Sequence, residues 1–424
     1  MSLRLWLIAS LTLPTFAGTP NDVRAHIDRH APESVALLEQ LVNTNSGSLN
    51  LKGVDAVAQV MEARLQSLGF EVERVNSSPD QRAPHLFGRL KGSKPGKPLL
   101  LIGHLDTVFE PSSPFQKFIR DGSRATGPGA VDMKGGLVVV LAALNGLRAA
   151  GLLETGSPIE IFLTADEEST AQPLARARQE FIEAGKRAKA ALCFETGVRR
   201  GTLDYATTAR RGYTEWQLRV TGTAGHSGQI FTEKLGHGAI FELSRILKRF
   251  HDEVREPNMT INAGMIVGGS AVTDGGEGSG SVSGKVNVVP AQALARGEFR
   301  ALTMDQVARL KDKMYALAAQ SLPGTKAELK FRDGYPPMSP TPGNRRLFAM
   351  LNEASRAAGL PALGELDPME RGAGDISVIA PFVDSLSGLG AIGSGAHAEG
   401  EWVDLDSIPR QAKRAAMLIH ALTR

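Results

Sequence analysis

The strongest constraint on the fold is a short apolar run that ends in two polar residues. Leu99 to Ile102 are all apolar, and Gly103, His104 and Asp106 follow them. A strand without polar residues is typical of a parallel sheet that is covered on both faces. Because side chains alternate along a strand, His104 and Asp106 should point to the same side. The stretch therefore predicts a buried parallel strand that brings a histidine and a carboxylate to one edge of a sheet.

The His104–Asp106 pair has two interpretations. A metal-bound imidazole usually has its second nitrogen held by a carboxylate or a carbonyl group, and Asp106 is placed for that role. The pair is equally compatible with a polar strand end in which Asp106 acts as a cap. The spacing alone does not separate these alternatives, so residues farther along the chain must decide between them.

Strands and helices alternate on both sides of this stretch. The pattern predicts helices over residues 22–42, 55–68 and 133–150, and strands over residues 70–74, 86–90, 158–164 and 188–194. This order is typical of an α/β domain with a largely parallel sheet. Ligands of such sheets bind beyond the carboxyl ends of the strands, where the polar residues of this chain lie.

The pattern changes from about residue 212. Strands are predicted over 213–220, 259–267, 285–300 and 327–332, with helices over 235–254 and 305–322. The Gly- and Ser-rich residues 268–284 predict a mobile loop or a long hairpin connection. Helices over 345–358 and 408–422 then resume the first pattern. We predict an α/β fold with a mostly parallel sheet (18–211 and 337–424) and an inserted smaller α+β domain (212–336).

The first 17 residues predict a signal peptide. Arg4 precedes a mostly apolar run from Leu5 to Ala17, and small residues follow at the exit. The alternative is an apolar N-terminal strand or helix, and the run is shorter than the roughly 20 residues that span a bilayer. The single cysteine, Cys193, excludes an intramolecular disulfide. We expect a secreted or periplasmic protein after cleavage, with no membrane association in its mature form.

The charge balance argues against one class of partner. The chain has 48 basic and 45 acidic residues, for a net charge of +3. It has no basic cluster interleaved with aromatic residues. The sequence therefore predicts no nucleic-acid partner.

Further histidines and carboxylates follow other predicted elements; they are Asp132, Glu167, Glu168, Glu195 and His397. Each has a local alternative: a helix cap, a solvated loop, an ion pair with a nearby arginine, or a satisfied turn residue. Together with His104, they place two histidines and three or four carboxylates at successive strand ends. Such a set suits two divalent ions, and its nitrogen and oxygen donors fit zinc. Glu167 and Glu168 should point in opposite directions, which leaves one of them free as a general base.

Six motifs resemble, in the same order, those of the zinc metallopeptidase family that includes glutamate carboxypeptidase, aminoacylase, acetylornithine deacetylase and succinyl-diaminopimelate desuccinylase. They are Gly-His-Leu-Asp-Thr-Val at 103–108, Gly-Pro-Gly and Asp-Met-Lys-Gly-Gly within 127–136, Asp-Glu-Glu at 166–168, Glu195, Gly-His-Ser at 225–227, and His397. The motifs cover essentially the whole mature chain. The region from His397 to Ile408 is most similar to the bacterial glutamate carboxypeptidase branch.

The resemblance implies two zinc ions per chain, with Co²⁺ or Mn²⁺ as substitutes, in a catalytic domain formed by the parallel sheet. Asp132 would bridge the two ions. His104 and Glu195 would complete the ligands of one ion, and Glu168 and His397 those of the other. In this family the Asp-Met bond after the bridging ligand is typically cis.

The resemblance also implies catalytic and substrate-binding roles. Asp106 would orient His104, and Glu167 would activate the bridging water for attack on an amide carbonyl. His226 would donate to the developing oxyanion, in its own active site or in that of a partner subunit. Its alternative is a turn residue in a Gly-rich loop. Asn287 and Arg300 resemble contacts to a substrate carboxylate.

The expected enzyme is a carboxypeptidase-like exopeptidase that acts on a small peptide or an N-acyl amino acid with a free carboxylate. A homodimer through the inserted lid or dimerisation domain is also expected. A deacylase or dipeptidase of the same family is the alternative within the enzyme class. An inactive peptide- or amino-acid-binding protein is the alternative outside it, but a binding protein has no need of Glu167.

Two departures from the family pattern concern the substrate. Between Glu195 and Arg211 there is no clear counterpart of the lysine that glutamate carboxypeptidase uses on the substrate side chain. Arg199, Arg200 and Arg210 are the candidates to replace it. The alternative role for Arg300 is an ion pair with Glu298. The Gly- and Ser-rich residues 268–284 also lie close in sequence to Asn287, so glutamate specificity stays open.

Overall fold

The computed structural model describes residues 18–76, 81–276 and 278–424, so the predicted signal peptide lies outside the described residues. The helices within these ranges are α1 (Pro20–Arg29), α2 (Ala31–Val42), α3 (Leu51–Ser67), α4 (Gly135–Ala149), α5 (Leu174–Ala177), α6 (Gln179–Arg187), α7 (Ala239–Glu253), α8 (Met304–Ala318), α9 (Pro342–Ala357), α10 (Ile376–Ile379) and α11 (Ser407–Thr423).

The strands in the same ranges are β1 (Glu71–Val75), β2 (His85–Leu90), β3 (Leu99–His104), β4 (Ile119–Asp121), β5 (Arg124–Thr126), β6 (Ile159–Thr164), β7 (Ala190–Cys193), β8 (Val198–Arg200), β9 (Leu203–Ala206), β10 (Gly212–Gly222), β11 (Gly225–His226), β12 (Thr260–Gly269), β13 (Ala271–Asp274), β14 (Gly280–Ser283), β15 (Val288–Val289), β16 (Gln292–Ala301), β17 (Thr325–Asp333), β18 (Gly364–Glu365), β19 (Ser385–Leu386), β20 (Ile392–Ser394) and β21 (Trp402–Asp404).

Six strands form the main sheet in the order β1-β2-β6-β3-β7-β19. The pairs β6–β3, β3–β7 and β7–β19 are parallel, whereas β1–β2 and β2–β6 are antiparallel. The predicted α/β class with a mostly parallel sheet is therefore confirmed. Because β3, β6 and β7 are parallel neighbours, the residues that follow them meet at one edge of the sheet.

The apolar run in β3 is explained by the two layers that cover it. Leu99 and Leu101 lie in a hydrophobic core on one face, and Leu100 and Ile102 lie in a second core on the other face. In the first core, α4 packs against α1, α2 and α11. Among the described residues, 130–149 form the stretch that is long and apolar enough to cross a membrane, but 83% of its most apolar part is buried. This stretch is a core segment of the fold.

A second sheet has the order β12-β16-β10-β17 and is antiparallel throughout. With α7 and α8, which share its own hydrophobic core, and the shorter segments between β10 and β17, it is called here the antiparallel unit (residues 212–333). Within 268–284 the strands β13 and β14 pair as a hairpin, so the hairpin interpretation of this stretch is the one observed. The chain returns to the main sheet where Tyr213 pairs with Tyr335 and Arg210 with Met338. The division of the chain at residues 212 and 336 stays a prediction.

Three predicted elements differ from the structure. The single helix predicted over 22–42 is two helices that meet at His30, because Pro32 has no N–H to continue the first helix. The helix predicted from residue 235 begins only at Ala239, after Gly238 with a φ of 73°. The strand predicted over 285–300 is interrupted at Pro290, which separates β15 from β16.

Candidate metal centre

His104 ends β3, and its buried ring is held by Asp106. The Nδ1 atom lies 3.1 Å from the backbone oxygen of Asp106 and 3.4 Å from its Oδ1 atom. The Asp106 carboxylate also accepts hydrogen bonds from the Ser48 hydroxyl at 2.6 Å and from the backbone N–H groups of Glu167 and Glu168, each at 3.1 Å. Burial opposes ionisation of Asp106, but the hydrogen bonds outweigh it and lower its pKa. Asp106 therefore holds both the histidine and the loop with the two glutamates.

Asp132 lies in a tight turn before α4. Asp132 and Met133 have non-helical backbone angles, and the peptide bond between them is cis, as the resemblance implies. Asp132 Oδ1 lies 3.3 Å from His104 Nε2, and Asp132 Oδ2 lies 3.3 Å from His397 Nε2. The two oxygens of one carboxylate thus face two different histidines.

Two ligand groups share Asp132. The first adds His104 and Glu195, whose closest atoms are 3.7 Å apart; the second adds Glu168 and His397, at 3.1 Å. Donors that bind one zinc ion at about 2.0–2.1 Å with tetrahedral angles are roughly 3.4 Å from one another. The spacing of these nitrogen and oxygen atoms fits metal ligands. The structure thus brings together the five residues named as ligands from the sequence.

The ionisable groups of this cluster interact strongly with one another and with a neighbouring arginine. Burial, followed by the Asp132 charge, raises the pKa of Glu168 to about 7, although a hydrogen bond with His397 opposes this. Hydrogen bonds with Asp132 and Glu168 raise the pKa of His397 to about 11. The Oε2 atom of Glu195 lies 3.5 Å from Nη1 of the buried Arg210.

Glu167 lies beside the groups that share Asp132. One of its carboxylate oxygens lies within 4.8 Å of ligand atoms of His104 and Glu168. Burial, together with the charges of Glu195 and Glu168, raises the pKa of Glu167 well above its usual range, although His104 opposes the shift. A carboxyl group at this position can take a proton and return it during a reaction.

Glu401, which was not predicted from the sequence, holds the Asp132 turn. The buried Glu401 carboxylate accepts backbone N–H groups from Gly129 at 3.2 Å, Val131 at 2.7 Å and Asp132 at 2.9 Å. Glu401 lies four residues after His397, so it joins the two segments that carry ligands. Its closeness to His397 in the sequence was the available signal.

Arg371 was also missed, and it borders a cavity of about 620 Å³ beside the ligand cluster. Val131, Thr196 and Ala396, each adjacent in sequence to a ligand, line the same cavity. Burial and the neighbouring Arg210 lower the pKa of Arg371 to about 10. A guanidinium group at this position suits a carboxylate.

The three arginines considered as substitutes for the family lysine all have acidic partners. Arg199 pairs with Asp204 at 2.7 Å, and Arg200 pairs with Glu370. Arg210 faces Glu195 and donates to the backbone oxygens of residues 372 and 373. These contacts give each guanidinium a local role within the protein.

The three remaining predicted site residues lie in the antiparallel unit. His226 is exposed, and its Nδ1 accepts the N–H of Gly228 at 3.2 Å. The backbone oxygen of Asn287 accepts the N–H of the residue after His226 at 2.9 Å. Arg300 pairs with Glu298 at 2.9 Å, which is its alternative role. Among the described residues, His226 is not part of the ligand groups around Asp132.

The model of peptidase family M20/M25/M40 matches residues 100–421. Carboxypeptidase G2 of Pseudomonas sp. (strain RS-16) is 30% identical over 402 residues, which are 92% of this chain and 89% of that protein. Succinyl-diaminopimelate desuccinylase of Leptothrix cholodnii is 28% identical over 300 residues, which are 68% of this chain and 73% of that protein.

Solved structures share the fold. A Staphylococcus aureus tripeptidase has a TM-score of 0.69 at 20% identity, over 92% of this chain and 98% of that one. A dinuclear metal-binding M20 peptidase from Bacillus subtilis has a TM-score of 0.63 at 15% identity, over 93% of this chain and 99% of that one.

Proposed function

Because the chain belongs to peptidase family M20/M25/M40 and is a metallopeptidase or amidohydrolase, we propose that it is a dinuclear zinc exopeptidase. Its substrate is a small peptide or an N-acyl amino acid with a free carboxylate. The observation that carries this proposal is the Asp132 carboxylate, whose two oxygens each lie 3.3 Å from a different histidine. Such a carboxylate suits two cations held side by side.

The chemistry is divided between the ions and Glu167. When bound, two zinc ions would polarise the amide carbonyl and make water a better nucleophile. Glu167 accepts a proton from the water whose oxygen forms a bond to the carbonyl carbon. The carbon–nitrogen bond then breaks, and Glu167 returns the proton to the leaving nitrogen. His104, Asp132, Glu168, Glu195 and His397 are the residues that would hold the ions.

The Arg371 cavity supports recognition of a free carboxylate. Its arginine is half-buried, and the cavity adjoins the backbone next to three ligands. Asn287 and Arg300 contribute to substrate binding in this proposal, and Arg300 must then exchange its contact with Glu298 for the substrate.

His226 supplies the oxyanion donor when the antiparallel unit closes or when a second copy provides it. A homodimer through this unit is supported by exposed apolar side chains, since Phe231, Phe241 and Ile266 are 55–61% exposed. A secreted or periplasmic location follows from the predicted signal peptide.

An N-acyl-amino-acid deacylase is the second candidate. It is favoured by the similarity to succinyl-diaminopimelate desuccinylase. Both candidates use the same centre, and both substrates carry the free carboxylate on the amine side of the amide; they differ in whether the acyl side is an aminoacyl residue or a simple acyl group.

The experiment compares wild-type protein and Glu167→Ala on a panel of dipeptides and N-acyl amino acids. We expect the variant to lose about 10²- to 10⁴-fold in kcat while it keeps its bound zinc. Glu183→Ala, at an exposed position on α6, is the control and should match the wild type. A Glu167→Ala protein as active as the wild type would contradict the mechanism, and the preferred substrates would separate peptidase from deacylase.

A further inference from the structure

A buried polar cluster lies directly against the loop that carries Glu167. Its centre is Arg178, which has no exposed surface. Arg178 donates from Nε to Asp375 at 2.7 Å, from Nη1 to Asp166 at 2.6 Å and from Nη2 to the Tyr335 hydroxyl at 3.1 Å. The Tyr335 hydroxyl in turn donates to Asp375 at 2.8 Å. A buried ion cluster with this many partners favours one arrangement, because any rearrangement leaves a charge unpaired.

The cluster reaches the backbone of Glu167 through Thr170. Arg178 Nη2 also donates to the Thr170 hydroxyl oxygen at 3.4 Å, and the Thr170 hydroxyl, whose oxygen lies 2.7 Å from that of Tyr335, donates to the Glu167 carbonyl oxygen at 3.1 Å. Asp166, the residue before Glu167, accepts the N–H of Ala171 at 2.9 Å and so closes the loop on itself. The Glu167 N–H is fixed separately by Asp106. The carbonyl side of Glu167 is therefore held by a chain of contacts that includes Tyr335.

Tyr335 belongs to the connection between the antiparallel unit and the main sheet. It follows the last residue of β17 by two positions. Its backbone oxygen accepts the N–H of Tyr213, and the N–H of Gly334 donates to the Tyr213 oxygen, each at 3.1 Å. Tyr213 lies at the start of β10, so the chain segments that enter and leave the antiparallel unit meet at this point. Burial raises the pKa of Tyr335 well above its usual range, so its hydroxyl keeps the proton that it donates to Asp375.

A cavity of about 360 Å³ lies between the loop and this connection, and Glu167, Thr170, Tyr213 and Tyr335 are among the residues that line it. A small shift of the loop would therefore move the Glu167 carboxylate relative to whatever occupies this space. Catalysis is sensitive to such shifts, since a misplacement of about 1 Å can cost about 100-fold in rate.

We propose that Tyr335 is a positioning residue for Glu167, and that through Thr170 and Arg178 it ties the placement of this carboxylate to the connection with the antiparallel unit. The role of Glu167 as the base rests on the proposed function. The contacts that carry the coupling do not rest on it.

The test is Tyr335→Phe in the full-length protein, which removes one hydroxyl and keeps the ring. We expect kcat to fall by about 5- to 50-fold, with KM changed less than about twofold and the bound metal unchanged. Amide hydrogen exchange of residues 166–171 should become about 2- to 10-fold faster, while exchange in β3 stays the same. Tyr315→Phe is the matched control: this tyrosine is 47% exposed on α8, and its variant should behave as the wild type.

Two Thr170 variants separate positioning from general stability. Thr170→Val should reproduce the loss of kcat, Thr170→Ser should retain wild-type kcat, and Tyr335→Phe with Thr170→Val should cost little more than either change alone, because both interrupt one chain of contacts. A Tyr335→Phe protein with wild-type kcat or wild-type exchange in 166–171 would overturn the proposal. So would faster exchange that extends equally to β3. If the wild type cleaves no substrate in the panel, the proposed function fails, and the exchange result alone decides the coupling.

Discussion

The substitution Glu401→Gln should weaken metal binding although Glu401 is not a predicted ligand. The Glu401 carboxylate fixes the turn that presents Asp132, and it comes from the same loop as His397. In Glu401→Gln the side chain keeps its shape but loses its charge and one acceptor oxygen. We therefore expect the ligands to be present but less well held.

The magnitude follows from the three N–H groups that Glu401 accepts. Val131 and Asp132 donate to one oxygen, and Gly129 donates to the other. A glutamine can keep the first pair, but it then points its amide NH₂ at the N–H of Gly129. A hydrogen bond to a charged group is worth about 1.5–3 kcal/mol. If the metal-binding arrangement of the ligands is destabilised by about 2 kcal/mol, the affinity for metal falls about 30-fold. This lies within the 10- to 100-fold loss that is typical when a residue that supports metal ligands is changed.

The assay is a competition for zinc between the protein and a chelator at pH 8. Burial and the nearby Asp132 charge raise the pKa of Glu401 to about 7, so the wild-type side chain is ionised at that pH. Glu399→Gln is the matched control, because Glu399 lies in the same loop and is exposed. A Glu401→Gln protein that binds zinc within twofold of the wild type would refute the reasoning.

Two further predictions concern His226 and His397. His226→Ala should lose about 10²-fold in kcat while it keeps its metal. If His226 acts in a partner's site, a mixture of this variant with Glu167→Ala should recover about a quarter of wild-type activity, because mixed dimers then contain one intact site. No recovery would place His226 in its own site. In the metal-free protein, hydrogen bonds with Asp132 and Glu168 raise the pKa of His397 from 6.5 to about 11. Protonated His397 therefore stabilises the folded state fully below about pH 6.5, and this contribution is lost as the pH rises towards 11. Metal binding at pH 8 must displace this proton, and calorimetry in buffers of different ionisation enthalpy should show its release; identical heats in all buffers would contradict this.

The parts of the site that could be predicted from the sequence are those set by local geometry. His104 ends β3 and Glu195 follows β7, and these strands are parallel neighbours, so the closeness of the two residues depends only on the order of the elements. The alternation of side chains also explains why Arg300 could pair with Glu298, two residues away on the same strand. This alternative was open, and the structure adopts it.

The parts that could not be predicted depend on contacts between distant segments. Glu401 meets the Asp132 turn across 269 residues, and Arg178 meets Asp375 across 197. Arg371 lies in a Gly-rich stretch whose sequence gives no sign that it borders the cavity beside the ligands. No periodicity describes such contacts, because each depends on how whole layers pack together.

The most direct test of the account is the number of divalent cations that each chain binds. Asp132 belongs to both ligand groups, whereas His397 belongs to one. Elemental analysis after loading with zinc should give two ions per chain for the wild type, about one for His397→Ala and fewer than one for Asp132→Asn. A wild type that binds fewer than two ions, or an Asp132→Asn protein that keeps both, would contradict the claim that one carboxylate joins two metal sites.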